Sequence, residues 1–535
     1  MEELAGQLRW HRGSPSSYDA GPLAIAVLAD QQHGPAVSVG DDYALLVHGG
    51  ELEPPTVLQD GEQRFAALEW DGHTLRASRD ALGEVPLFVR IVDGVAWFAT
   101  ETHPLVAVAP TRPDLEALAA EAAFVPYVMR TAWREIFRVP PGSTATVDGA
   151  MNFSVKPHWR PDRELATRRG AYADVVQEFR RRFEAAVARR RSDSDGLLLS
   201  GGLDSAAVAV AARGGRRPPR LITVTFPDLP ETDEAEYARA TADAVGAPLT
   251  VLTGRTDRWT PEGEAAVFGT TSLLLPTSIF DVAMAAFAAE GVETVLDGHD
   301  GDGALGLYTD IYGLLIAHLE LRRLLGYAQR FGWRPVGRAT VRGALPPWLR
   351  HVPGRSRSAA DNLSAPLLPF FRGTTARRMV AEVRWRPPRA SWKRHQLQPV
   401  TPPLTVLLEQ MEAAAARYGV DVAHPFADHS LLRFLISLPY SLKVDPDRSK
   451  PLLRDGLGDL LPEKVRSRGG KVTFEAVLER RVDPAACLDW VRESGVELPD
   501  VDYRALYLAA ERDPGSLQRA AWIRLARTHA FAAGA

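Results

Sequence analysis

Cysteine is nearly absent from this chain: its 535 residues include one, Cys487. Internal disulfides and cysteine-rich metal cages are excluded, and a reducing, cytoplasmic setting is expected. No apolar run is long enough to span a bilayer, and Met1-Glu2-Glu3-Leu4 lacks the basic and apolar character of a secretion signal. Acidic residues are scarce in one place. Between Arg322 and Arg394, sixteen arginines and one lysine face only Asp361 and Glu382, a local excess of +15 in a chain whose net charge is −4. The same stretch carries Trp333, Trp348, Trp385 and Trp392. This insertion, about 322–395, reads either as a solvated irregular segment or as a docking surface for something acidic or extended, such as a peptide. No nucleic-acid motif accompanies the charge, so nucleic acid is not the expected partner.

What is present begins with Leu197-Leu198-Leu199-Ser200-Gly201-Gly202-Leu203-Asp204-Ser205, followed by the apolar run Ala206 to Ala212. An aliphatic strand runs through a small polar loop into a helix. Glycines let backbone N–H groups approach an anion, and the helix N-terminus adds partial positive charge. Ser200 and Ser205 supply hydroxyls. Asp204 is a carboxylate in a loop built for phosphate, which makes sense if a divalent cation lies between them. The loop has no lysine, unlike the longer phosphate loop ending in Gly-Lys-Ser/Thr. It resembles the pyrophosphate loop of the ATP pyrophosphatases, which cleave ATP between its α- and β-phosphates.

A chain of this length holds at least two cores. Residues 1–160 read as β-rich, with runs at Leu23 to Leu28, Tyr43 to Val47, Phe65 to Trp70 and Val95 to Ala99 separated by Gly, Asp and Pro turns. Residues 170–535 alternate helix and strand: a helix over Tyr172 to Arg190, strands at Leu221 to Phe226 and Leu249 to Leu252, a helix over Thr232 to Val245, and a strand ending at Val295-Leu296. That rhythm predicts a doubly wound parallel α/β sheet with ligands at the carboxyl ends of its strands. One such end is Asp297-Gly298-His299-Asp300-Gly301-Asp302-Gly303, which reads as a surface turn or as the source of a second carboxylate opposite Asp204. A late loop, Arg466-Ser467-Arg468-Gly469-Gly470-Lys471-Val472-Thr473-Phe474, suits contact with developing negative charge.

Together these pieces resemble the asparagine synthetase family. The resemblance rests on the loop at Ser200 to Ser205, on Phe226 with Asp233-Glu234-Ala235-Glu236-Tyr237-Ala238, and on Gly298 to Gly303. It continues through Pro425-Phe426-Ala427-Asp428, Lys450-Pro451-Leu452-Leu453-Arg454, Leu461-Pro462-Glu463 and the loop ending at Phe474. Arg79-Asp80-Ala81-Leu82-Gly83, Pro86-Leu87-Phe88 and Phe98-Ala99-Thr100-Glu101 resemble the family's Ntn-type glutaminase domain. That domain works through an N-terminal cysteine. Here Glu2 stands second and no cysteine precedes Cys487, so the resemblance implies a degenerate β scaffold.

The family's chemistry sets the expectations. ATP is cleaved to AMP and pyrophosphate, with Mg²⁺ held by Asp204 and Asp302. Ser200, Gly201, Gly202 and Ser205 cradle pyrophosphate, and Phe226 lies beside the nucleotide. Lys450 and Arg454 either help hold phosphate or belong to a surface helix. Lys471 matches the family's catalytic lysine; His299 is either a base or a structural hydrogen-bonder. Without in-house ammonia another amine must attack. The resemblance is greatest to the lasso-peptide macrolactam synthetases, which join an Asp or Glu side chain of a precursor peptide to its own N-terminal amine. A leader peptidase and a leader-binding protein are the partners this implies. The alternative is amide formation on a small amino acid substrate, as in the β-lactam and asparagine synthetases.

Overall fold

The computed structural model describes residues 16–20, 23–27, 36–40, 43–48, 63–124, 126–168, 170–214, 217–261, 276–306, 315, 321–333, 396–445, 447–469, 472, 474–499, 501–512 and 519–534. Lys471 and residues 334–395 of the basic insertion lie outside them.

Short strands dominate the N-terminal part: β1 (Ser16–Ala20), β2 (Leu23–Val27), β3 (Ala36–Gly40), β4 (Tyr43–His48), β5 (Ala66–Trp70), β6 (Thr74–Arg79), β7 (Phe88–Val92), β8 (Val95–Ala99), β9 (Ile136–Arg138), β10 (Ser143–Asp148) and β11 (Phe153–Pro157). They pair antiparallel as a β1-β2 hairpin, a six-stranded sheet in the order β11-β10-β6-β5-β4-β3, and a three-stranded sheet β8-β7-β9. Turn chemistry sets the register. Between β5 and β6, Gly72 takes φ +85° while Asp71 Oδ1 accepts the N–H groups of His73 and Thr74. Asp93 and Gly94 both take positive φ, 50° and 74°, giving β7 and β8 the tight turn that matches strand twist.

Helix and strand alternate from Tyr172 onward. The helix Tyr172–Arg189 buries Val175, Phe179, Phe183, Ala186 and Val187 along one stripe. Strands β12 (Asp195–Leu198), β13 (Arg220–Thr225), β14 (Leu249–Thr253), β15 (Thr294–Leu296) and β16 (Asp421–Ala423) form a parallel sheet in the order β14-β13-β12-β15-β16. The chain winds outward from β12 through β13 to β14, then returns to the other side of β12. Direction therefore reverses between β12 and β15, and the crevice at their carboxyl ends is the ligand position of such sheets. The loops after these two strands are the two glycine-carboxylate segments singled out in sequence. The expected helix over Thr232 to Val245 divides into a 3₁₀ turn, Pro230–Thr232, and a helix, Ala235–Val245. No helix among the described residues is long and apolar enough to cross a membrane.

Antiparallel strands end at Pro157 and parallel ones begin at Asp195, but the cores do not divide there. Cys487 and Trp522, from the helices Pro484–Glu493 and Arg519–Gly534, share a core with the helix Leu115–Ala122. Buried ion pairs join the two parts as well. Asp80 accepts N–H groups from Leu82, Gly83, Glu84 and Val85, folding the Arg79–Gly83 segment into a tight turn. That turn seats Arg79, whose guanidinium donates to Gly83, Val85 and Val139 carbonyls and to Glu409. Glu409, on the helix Pro402–Ala416, also receives Arg138 at 2.7 Å. Arg190 spans Glu84 and Asp428, while Arg64 reaches Asp421 and the Val422 carbonyl.

Removing one partner of a buried ion pair strands the other charge. Glu409→Ala leaves two buried guanidinium groups uncompensated, so a loss of about 3–5 kcal/mol in urea unfolding is expected. Glu463→Ala, which breaks an exposed pair with Arg466, should shift stability by about 0.5 kcal/mol or less. Equal effects of the two substitutions would remove the central role given to Glu409.

Candidate functional site

The pyrophosphate-type loop is Leu199 to Gly202, between β12 and the helix Leu203–Ala212, of which Gly202 is the N-cap. Its hydroxyls organise it from within. Ser200 and Ser205 Oγ atoms are 2.9 Å apart, Ser200 Oγ accepts the Gly202 N–H, and Ser205 Oγ donates to the Ser200 carbonyl. Ser200 stays exposed, while Ser205 and Gly201 are buried. A side chain at Gly201 would place its Cβ 2.5 Å from Glu234 Cβ and 3.0 Å from Tyr237 Cβ. Glycine is required there by close approach.

The acidic loop follows β15. Its glycines press against the first loop: a Cβ on Gly298 would sit 2.6 Å from the Ser205 nitrogen, and one on Gly301 2.5 Å from Asp204 Cγ. The two loops are thus in backbone contact, which brings Asp204, Asp300 and Asp302 together. Asp300 turns the chain with φ 60°. Burial, then the nearby Asp302 and Asp204 charges, push its carboxyl up to about 8.

Lys450 completes the cluster. It takes φ 53° at the N-cap of the helix Pro451–Gly456, and its ammonium pairs with Asp204 Oδ2 and, at 2.5 Å, with Asp302 Oδ1. Its side chain is 6% exposed, so the alternative of a surface lysine does not hold. The bridge between the carboxylates gives a direct test of whether they suit a metal ion. A cation already stands against both, at hard oxygen donors, which is the donor chemistry Mg²⁺ takes. Among the described residues, no group of three His, Cys, Asp or Glu side chains could hold a metal by itself. The remaining ligands would have to come from phosphate and water, as Mg²⁺ prefers.

Behind this loop lies a histidine that sequence reasoning missed. His424, ending the β16 segment, hydrogen-bonds Asp297 Oδ1 through Nδ1 at 2.9 Å. Asp297 Oδ1 also accepts the His299 N–H at 3.0 Å. Burial pushes Asp297 upward, but the facing His424 holds it below the usual carboxylate range. Burial pulls His424 downward, and Asp297 outweighs it to raise the imidazole. The His299 and His424 rings meet edge to face, their centroids 6.0 Å apart. Lys443, also missed, donates from Nζ to the Ala304 carbonyl, 3.2 Å away at the far end of the short helix Gly301–Leu305. Burial lowers its ammonium to about 7, against the pull of Asp300.

Two of the expected residues take part in packing and bracing. Phe226 is 1% exposed, in a core with Phe474 at 6.4 Å, and a Cβ at Gly254 would overlap its ring. Its ring is core packing, leaving only its backbone for a nucleotide. For Arg454 the expectation is phosphate or a surface helix. Its guanidinium instead donates to the carbonyls of Ser449, Arg466 and Arg468, bracing the basic loop. Arg468 in turn donates to the Gly201 carbonyl at 2.7 Å, pairs with Glu234 at 2.7 Å and lies over the Tyr237 ring at 4.1 Å. Glu234 Oε2 accepts the Gly201 N–H at 3.2 Å. Glu234 and Tyr237 are two of the four fixed positions of the Asp-Glu-x-x-Tyr-Ala segment, and that spacing was the available signal. Nothing in the sequence marked Lys443.

The asparagine synthase family model matches residues 178–530. Over 436 residues the chain is 24% identical to asparagine synthetase [glutamine-hydrolyzing] 3 of Bacillus subtilis (strain 168), covering 76% of this chain and 66% of that protein. It is 26% identical over 498 residues to a putative asparagine synthetase [glutamine-hydrolyzing] of Mycobacterium tuberculosis (strain ATCC 25618 / H37Rv), covering 86% and 74%. A third similarity, 27% over 262 residues, is to amidase chyE of Penicillium rubens, covering 44% of this chain and 38% of that one. The chain thus spans about two thirds of the Bacillus relative and less of the amidase. With the matched segment taking in both loops, Lys450 and the Arg468 brace, the chain belongs to the asparagine synthase family.

Proposed function

We propose that this chain is an ATP-dependent, AMP-forming amide-bond ligase, and that its substrate is a precursor peptide closed into a macrolactam by joining an Asp or Glu side chain to its N-terminal amine. The observation that carries the reading is the juxtaposition of Asp204 and Asp302 at the reversal of the sheet, beside a glycine-serine loop at a helix N-terminus. Mg²⁺, when bound, would supply charge neutralisation on the ATP phosphates. Asp204 and Asp302 would hold it, and Ser200, Gly202 and the start of the helix Leu203–Ala212 face the departing pyrophosphate. Lys471 is the family's candidate for the oxyanion formed on amine attack, and His299 a candidate base.

The peptide reading draws on what the chain lacks and what it adds. Its single thiol, Cys487, is buried in the C-terminal helices, and burial pushes it up to about 12. That thiol is inert toward glutamine at neutral pH. The arginine- and tryptophan-rich insertion suits an extended acidic substrate better than a small amino acid. A leader peptidase and a leader-binding protein are the partners this proposal carries.

Mass spectrometry with ATP, Mg²⁺ and leader-cleaved candidate peptides tests the reading. Loss of one water from the peptide together with AMP is expected; formation of ADP overturns the adenylation step. Turnover of a small amino acid with no peptide activity assigns the small-substrate alternative instead. Asp204→Ala and Asp302→Ala should each lower AMP formation by about 10²–10³-fold in folded protein. Gly301→Ala displaces the Asp204 carboxylate, so a loss on the order of a hundredfold in kcat is expected with an unchanged far-ultraviolet spectrum. Parental rates in these variants would remove the two-carboxylate mechanism.

A further inference from the structure

Lys450 and the proposed metal ion claim the same place. The ammonium contacts Asp204 Oδ2 and Asp302 Oδ1, the two carboxylates that a divalent cation would bridge. An octahedral Mg²⁺ binds its oxygens at about 2.0–2.1 Å. It cannot take the same two oxygens, Asp204 Oδ2 and Asp302 Oδ1, while the ammonium lies against them, 2.5 Å from the latter.

The local build separates a fixed backbone from a movable side chain. Lys450 holds φ 53°, an uncommon region for a residue with a side chain, immediately before Pro451. Its carbonyl accepts the N–H groups of Leu453 and Arg454, and the Arg454 guanidinium holds Ser449 beside it. The stem beyond is a flexible four-carbon chain ending in a compact charge. Among the described residues, other cations near the cluster have set tasks: Lys443 donates to Ala304, Arg454 to the carbonyls of Ser449, Arg466 and Arg468, and Arg468 is held by Gly201 and Glu234. Asp204 and Asp302 meet across the two loops with the Lys450 ammonium between them, and without a cation there the two carboxylates would repel each other.

We infer that Lys450 is a placeholder cation: it fills the divalent-ion position between Asp204 and Asp302 until the metal arrives with the nucleotide, then swings toward the phosphates. This rests on the reading that Asp204 and Asp302 hold the metal. Metal alone is excluded by the lysine, whereas metal with ATP displaces it, because the polyphosphate offers the ammonium a new anionic partner. The device keeps the carboxylates together in the empty protein and makes metal and nucleotide bind jointly.

Mn²⁺ titration of the full chain, followed by electron paramagnetic resonance without nucleotide, tests this directly. Wild type should bind Mn²⁺ far more weakly alone than with ATP. Lys450→Met should bind Mn²⁺ alone about tenfold or more tighter than wild type, and Lys450→Met/Asp302→Asn should lose that gain. Mg²⁺ should raise the melting temperature of Lys450→Met but not of wild type, with Lys450→Arg behaving as wild type. Wild type binding Mn²⁺ equally well with and without ATP overturns the inference, whether or not the methionine variant folds. So does a folded Lys450→Met with no gain, provided Asp302→Asn still weakens Mn²⁺ binding in the presence of ATP. If Asp302→Asn leaves that ATP-dependent binding unchanged, the metal assignment itself fails and the placeholder with it.

Discussion

Backbone contact between two loops is the constraint on which this site depends. A carboxylate at the start of one helix and a carboxylate in the next crossover meet only if nothing stands between their main chains. Gly298 against the Ser205 nitrogen and Gly301 against the Asp204 carboxylate provide that approach, and a single methyl group at either would close it. Once the loops touch, three acids crowd one another: burial and its two neighbours raise the Asp300 carboxyl, and a cation stands between Asp204 and Asp302. Lys450 supplies it from a third element, 246 residues from Asp204 in sequence, on a backbone held in the left-handed region. The site is therefore a product of tertiary closeness rather than of any one motif.

The acidic loop is also held from behind. Asp297 is gripped by His424, which follows directly on β16, the edge strand of the sheet. Arg64 of the N-terminal part binds that same strand through Asp421 and the Val422 carbonyl. Contacts therefore run from the β-rich part, through an edge strand of three residues, to the carboxylate that shapes the loop. Arg79 and Arg138 fix the helix Pro402–Ala416 preceding β16 in the same manner, by closing on Glu409. The Arg79–Gly83 segment, quoted above for its family likeness, folds as an internal turn whose output is this ion pair. The β-rich part thus helps to hold the parallel sheet through buried charges.

The parallel sheet and both of its loops were legible because they depend on local pattern: aliphatic runs of strand length, glycines at their ends, and helices with one apolar stripe. β16 was not legible. Three residues carry no periodicity, and their strand identity comes from pairing with β15. The setting of Phe226 was not legible for a related reason. Its position after β13 is right for a nucleotide neighbour, but whether the ring faces ligand or core is decided by Gly254 and Phe474, distant in sequence. Arg454 shows the same limit in a polar residue. A cation near a phosphate loop suggests phosphate, yet three carbonyls claim its donors first. His424 and Lys443 carry no local signature, since their importance lies in buried partners on other elements.

Glu234 ties these layers together. One of its oxygens takes the Gly201 N–H, and the other takes Arg468, which itself bonds the Gly201 carbonyl and covers Tyr237. Both polar groups of one glycine in the phosphate-type loop are thus spoken for by side chains, so that the two peptide planes flanking Gly201 are fixed before any ligand arrives. Preorganisation of this kind lowers the reorganisation needed when charge develops on a leaving phosphate. Arg468 and Arg466 belong to the basic loop, and Arg454 holds both of their carbonyls. The geometry of the first loop and the anchoring of the basic one are consequently set by the same few charges, so that loosening either would disturb the other.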